Sequence, residues 1–110
     1  MNKLLTLLLV LSTLLIDLVP EVYAVVDLGA GEQIFSSNCS ACHAGGNNAI
    51  MPEKTLKKGA LEENSMNDLV AITTQVKNGK NAMPAFGGKL ADDEINNVAN
   101  YVLTQSEQGW

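Results

Sequence analysis

Apolar positions mark out the elements of this chain. From about Asp92 to Glu107, residues Ile95, Val98, Ala99, Val102 and Leu103 fall at i, i+3, i+4, i+7 and i+8. That spacing is one face of an amphipathic helix. Its acids, Asp92, Asp93 and Glu94, crowd the first turn, where they suit the helix dipole. Leu28, Gly31 and Phe35, with Ile34 beside them, predict an earlier helix that Asp27 can N-cap. Leu69, Ile72 and Val76 give the stripe of a third helix, from Met66 to about Asn78. Ser65 is its expected cap, with Asp68 three residues on. Lys77 and Gly79 supply its stop. A short fourth helix is expected over Leu56 to Glu63, with Leu56 and Ala60 facing inward. No stretch alternates convincingly as a strand, and there are no repeats.

Two patterns depart from this periodicity. Leu4 to Ile16 is apolar apart from Thr6, Ser12 and Thr13, and it follows a positive start at Lys3. Pro20 and Val22-Tyr23-Ala24 come next. This is the anatomy of a secretory signal, residues 1–24, cleaved after Ala24. The run is shorter than the roughly 20 residues a membrane span requires, and Asp17 and Glu21 follow it at once. No permanent membrane anchor is expected. The other departure is a pair of loops that carry apolar residues, Ala49-Ile50-Met51-Pro52 and Ala82-Met83-Pro84-Ala85-Phe86. In so small a chain such residues are expected to cover something.

The remaining residues, 25–110, make one small domain, which has a thin core and often needs a staple. In that stretch six lysines oppose ten acids. An acidic domain argues against nucleic acid, which wants a basic patch. Composition says little about a protein partner.

The candidate chemistry lies in Cys39-Ser40-Ala41-Cys42-His43, which holds both cysteines and the single histidine. C-x-x-C-H is the attachment signature of c-type haem. Two intervening residues let the thiols of Cys39 and Cys42 reach the two porphyrin vinyl groups from one turn of backbone. His43 then lies at the iron as its proximal ligand. A thioredoxin-like dithiol needs βαβ patterning that is absent here. Zinc would have three ligands at most, and adjacent Cys and His rarely reach one tetrahedral ion together.

A single histidine leaves the sixth iron position to another residue type, and methionine suits a haem of raised potential. Met66 starts the expected third helix and reads as core or surface. Met51 and Met83 both precede proline in loops. Met83 comes from a separate segment framed by two helices, so it is the better-placed ligand. Met51 reads as packing at the haem edge.

Several stretches together resemble a known family. They are Asn38 to His43 with Gly45-Gly46-Asn47; Lys54-Thr55-Leu56-Lys57-Lys58; Gln75 to Phe86; and Asn100-Tyr101-Val102-Leu103 through Gly109-Trp110. The chain is similar to the class I c-type cytochromes, and closely so to the cytochrome c6 (cytochrome c-553) family of algae and cyanobacteria. The resemblance implies an all-α fold of about four helices around one covalently bound haem c, with His43 and Met83 as axial iron ligands. It implies that the first helix crosses the last, Gly31 and Phe35 meeting Val98 and Tyr101. It places Gln75 in the haem environment, where a buried amide tunes the potential. Lys89 stands where relatives often carry an arginine that helps docking, and Ala91 where they carry a Ser or Thr cap.

The function so implied is one-electron transfer, not enzymatic catalysis. Electrons would come from the cytochrome b6-f complex and go to photosystem I, through transient docking of a monomer in the thylakoid lumen of an algal plastid or cyanobacterium. A periplasmic cytochrome serving a respiratory oxidase is the alternative. A peroxidase-like protein would want a distal histidine or arginine. The only histidine is already used, and the chain has no arginine.

Overall fold

The computed structural model describes residues 25–110; the signal segment expected over residues 1–24 lies outside them. Five α-helical segments follow one another: α1 (Leu28–Asn38), α2 (Ser40–His43), α3 (Lys58–Glu63), α4 (Leu69–Asn78) and α5 (Asp92–Gln108). A 3-10 turn, Ala44–Gly46, extends α2. Among the described residues there is no strand, only one isolated bridge between Lys80 and Met83. The fold is all-α, as expected. The segment beyond the expected four is α2, a single turn that carries the cysteine motif.

The helix caps explain where the sequence reading held and where it slipped. Asp27 caps α1 by accepting a hydrogen bond from the Ala30 amide at 3.0 Å. The third expected helix starts later than its pattern suggested. Ser65 sits at φ 56°, in the left-handed region, so it cannot be an N-cap. It is instead the residue that ends α3. The Ser65 amide donates to the Glu62 carbonyl (3.1 Å) and the Met66 amide to that of Leu61 (2.7 Å), the Schellman closure. Asp68 is the true cap of α4, accepting from the Ala71 amide at 3.0 Å. Likewise α3 begins at Lys58 rather than Leu56, and its buried residue is Leu61. Ala60 is half-buried, and Leu56 packs on the core from the preceding loop. Leu28 shares the inward face of α1 but stays 41% exposed in the first turn, because periodicity gives direction and not depth.

Ala91 precedes α5 and has no side-chain acceptor, so the cap is half made. The Glu94 carboxylate accepts from the Ala91 amide at 3.0 Å, and nothing returns the favour.

α1 packs on α5 more extensively than any other helix pair. Gly31 makes this possible. A Cβ there would lie 2.8 Å from the Asn97 carbonyl carbon and 2.9 Å from Tyr101 Cβ. The closest approach is thus at Asn97 and Tyr101, beside the expected Val98. The Asn97 side chain also accepts from the Asp27 amide at 3.0 Å. Phe35, Ile72, Val76, Phe86, Ile95, Val98, Ala99 and Val102 form the buried core. That core is contributed by α1, α4, α5 and one loop residue, Phe86.

Candidate functional site

The core residues do not close on one another. Phe35, Ile72, Val76, Phe86, Val98 and Val102 all line a cavity of about 500 Å³. A volume of this order suits a bound organic group, and lining walls that are mostly apolar with a few convergent polar atoms are the usual character of such sites.

The sequence motif opens onto this cavity. Cys39 is both the C-cap of α1 and the N-cap of α2: its amide donates to the Phe35 carbonyl (2.8 Å), and its carbonyl accepts from the Cys42 and His43 amides (3.2 and 2.9 Å). One tight turn therefore holds Cys39, Cys42 and His43, and all three line the cavity. Both thiols are free, Cys39 half-buried and Cys42 exposed. Burial pushes the Cys39 thiol up to about 11, since a thiolate there would lose its hydration. The His43 ring is oriented by a hydrogen bond between Nδ1 and the Asn47 carbonyl, 2.9 Å. A carbonyl can only accept, so Nδ1 carries the proton and Nε2 is left with a lone pair. That is how a metal-ligating histidine is prepared.

Met83 also lines the cavity, from the loop between α4 and α5. Gly79, at φ 70°, turns the chain out of α4. The Lys80 and Met83 backbones then exchange hydrogen bonds at 3.0 and 2.9 Å. Pro84 follows, with φ locked. Gln75 joins this side: its Nε2 donates to the Met83 sulfur at 3.6 Å. Met51 and Met66 are half-buried and line the same cavity. Met66 lies before α4 and not within it.

The structure thus brings together every residue singled out from the sequence: Cys39, Cys42, His43, Gln75 and Met83. The donor set, an imidazole with a free Nε2, a thioether and two thiols one turn apart around an apolar cavity, fits a covalently attached haem. It fits a metal ion alone poorly. Among the described residues no three His, Cys, Asp or Glu side chains cluster to hold one.

Two contributors escaped the sequence reading. Asn48 accepts from the Ile50 and Met51 amides (3.1 and 2.8 Å) and donates to the Lys54 carbonyl (2.9 Å), so it shapes the loop beyond His43. Trp110 donates from its indole Nε1 to the Leu56 carbonyl at 2.9 Å. Asn48 follows a Gly-Gly-Asn run that reads as any loop, and Trp110 ends the chain without a periodic context.

An all-α fold with a C-x-x-C-H turn opening onto an apolar cavity defines a c-type cytochrome of class I. Comparison with known proteins narrows this. Residues 26–102 match the family model described as "Cytochrome C oxidase, cbb3-type, subunit III", a cytochrome c-type domain. Cytochrome c6 of Gracilaria tenuistipitata var. liui is 77% identical over 84 residues, 76% of this chain and 78% of that protein. Cytochrome c6 of Pyropia tenera is 71% identical over 84 residues, 76% of this chain and 99% of the relative. The crystal structure of cytochrome c6 from the diatom Phaeodactylum tricornutum superposes with a TM-score of 0.74 at 62% identity, covering 76% of this chain and 99% of that one. The chain belongs to the cytochrome c6 family. It is a c-type cytochrome with covalently bound haem c, an electron carrier and not an enzyme.

Proposed function

We propose that this chain is the mobile one-electron carrier of photosynthetic electron transport, taking electrons from the cytochrome b6-f complex and giving them to photosystem I. It works as a monomer in the thylakoid lumen, after removal of residues 1–24. The observation that carries the reading is the placement of His43, at the end of α2, and Met83, in the loop between α4 and α5, on one cavity. When bound, the haem supplies a single Fe(II)/Fe(III) couple. Cys39 and Cys42 would hold it covalently, and His43 Nε2 and the Met83 sulfur would ligate its iron. With both of those ligands supplied by the chain, the iron would carry electrons and would leave no position for a substrate.

The chain's own residues then do three things. The Asn47 carbonyl holds His43 in the ligating tautomer. The Gln75 amide, donating to the Met83 sulfur, draws electron density from that ligand and favours the reduced state, which raises the potential. Around the mouth, Ile50 (62% exposed) and the exposed Cys42 leave a small apolar rim for brief encounters. The Lys89 ammonium lies 5.9 Å from the centroid of the Phe86 ring, a core residue that lines the cavity. A protein whose other charges are mostly acidic can use that charge to orient a docking partner.

The test is a redox titration of the mature protein followed by absorption, then flash-driven reduction of oxidised photosystem I. A Met-to-iron charge-transfer band in the oxidised state and a rate that saturates with protein concentration are expected. A high-spin spectrum that binds cyanide readily would sink the ligation. The oxidase name on the matched family model favours one second reading, delivery of electrons to a respiratory oxidase. Rapid turnover with an oxidase, and none with photosystem I, would install it instead.

A further inference from the structure

Trp110 is the only tryptophan in the chain and its last residue. Its ring is half-buried, 5.2 Å between centroids from Phe35 and 6.1 Å from Tyr101. Phe35 and Tyr101 are themselves 5.4 Å apart at the crossing of α1 and α5. An aromatic residue can fill space there without further consequence. Trp110 does more, because two independent contacts tie it to the loop after His43. The first is the Nε1 hydrogen bond to the Leu56 carbonyl, across 54 positions of sequence. The second is its face, which lies against buried Gly46, where a Cβ would overlap the indole Cγ, Cδ1 and Cδ2. Leu56 and Gly46 are also joined directly, the Leu56 amide donating to the Gly46 carbonyl at 2.7 Å. The indole therefore closes on both partners of one backbone pair.

That pair adjoins the histidine's support. Gly46 precedes Asn47, whose carbonyl accepts from His43 Nδ1 at 2.9 Å. Gly46 is at φ 76°, a conformation that glycine holds loosely, so the direction of the next carbonyl needs an outside restraint. Asn47's own amide bond, to the Ala44 carbonyl at 3.2 Å, is long and lies within the same turn. The restraint is the 2.7 Å Leu56–Gly46 bond, and Trp110 braces both of its partners from the far end of the chain.

We propose that Trp110 is a positioning residue for His43, acting through Leu56, Gly46 and the Asn47 carbonyl to hold the hydrogen bond on Nδ1. The proposal rests on the reading of His43 as the proximal ligand. A firm hydrogen bond on Nδ1–H makes the imidazole a more basic donor and so favours the oxidised metal. Loosening it raises the potential.

The experiment compares two variants of the holoprotein, Trp110→Phe and Ile95→Val. Phenylalanine keeps a ring against Gly46 and Phe35 but has no N–H to give Leu56. Ile95→Val trims a core residue that does not line the cavity, and it controls for a general loss of stability of about 1 kcal/mol. Exchange of the His43 Nδ1 proton with solvent is followed by NMR in the reduced state, alongside the midpoint potential. Trp110→Phe should speed that exchange roughly fivefold, the factor one net hydrogen bond is worth, and raise the potential. Ile95→Val should do neither. Unchanged exchange in Trp110→Phe, or the same acceleration in both variants, would overturn the proposal. The charge-transfer band reports axial ligation separately, so a failure of the latch and a failure of the ligand assignment are told apart.

Discussion

The two loops that flank the cavity are held by opposite means. Residues 79–91 hang from α4 by their backbone. The Phe86 amide donates to the Val76 carbonyl at 2.9 Å and the Gly87 amide to that of Lys77 at 3.1 Å, while Lys80 and Met83 pair with each other. Residues 44–57 make their backbone bonds among themselves or, close to their two ends, to α2 and α3, as from the Ala44 amide to Ser40, the Ala49 amide to Cys42 (2.9 Å) and from the Leu61 amide to Lys57 (3.0 Å). Beyond these, their side-chain ties to other elements are the His43 ring on Asn47 and the Trp110 indole on Leu56, while the Asn48 carboxamide braces the loop from within. A loop bonded to a helix by its backbone keeps its shape through most side-chain changes. A loop held largely by side chains does not. The methionine side should therefore be robust to mutation except at its turn residues, and the histidine side should register each of its anchors.

The largest effect should come from the methionine itself. Met83→Ala removes the sulfur while leaving the Lys80 and Met83 backbone pair in place, so the loop should persist. The charge-transfer band should vanish and added cyanide should bind. The potential should fall on the order of 0.1 V or more, within the roughly 0.8 V that axial ligands span. A collapsed loop, seen as lost helicity in α4, would show that the backbone frame depends on the ligand after all.

Next in size is a pair of glycines. Gly79 has φ 70° and ψ 173°, nearly a glycine-only region, and a Cβ would come within 2.6 Å of the Met83 carbonyl oxygen. Gly79→Ala should cost about 2 kcal/mol or more in denaturant unfolding. Gly45 on the other side is also left-handed (φ 65°), but the nearest atom to its Cβ is the Asn47 side-chain Nδ2 at 3.5 Å. Gly45→Ala should cost only about 1 kcal/mol. Equal costs would remove the contrast between a strained turn and a loose one.

This contrast also explains what the sequence revealed. The helices α1, α4 and α5 were legible because apolar spacing is a local signal, and the C-x-x-C-H turn because its chemistry needs adjacent residues. The place of Met83 could be argued from its loop. The caps were less legible. Ser65 and Asp68 are both good N-caps by type, and only the closure of α3 on Glu62 and Leu61 decides between them. The anchors of the histidine loop were not legible at all. The partner of Trp110 lies 54 residues away, and long-range side-chain bonds leave no period to read.

A middle-sized effect should fall on Asn48. Its side chain makes three hydrogen bonds within the loop, to Ile50, Met51 and Lys54. Asn48→Ala should cost about 1–2 kcal/mol, since exposed groups recover part of their bonding from water. Hydrogen exchange at the Met51 amide should rise, with no change at the Phe86 amide across the cavity. If both amides respond together, the two loops are one cooperative unit and the comparison fails.

The smallest effect tests the two methionines against each other. Met51 is half-buried, lines the same cavity as Met83 and sits in the loop held by side chains. Its amide is fixed by Asn48 at 2.8 Å, but its side chain has no fixed polar partner such as Gln75 gives Met83. Met51→Ala should leave the charge-transfer band intact and cost about 1 kcal/mol, less than a fully buried methionine because part of its surface is already wet. Water admitted at that edge stabilises charge, so the potential should drift slightly downward. Loss of the band in Met51→Ala, with the band kept in Met83→Ala, would exchange the two residues. The ligand would then sit on the side-chain-held loop, and the backbone frame around Met83 would need another purpose.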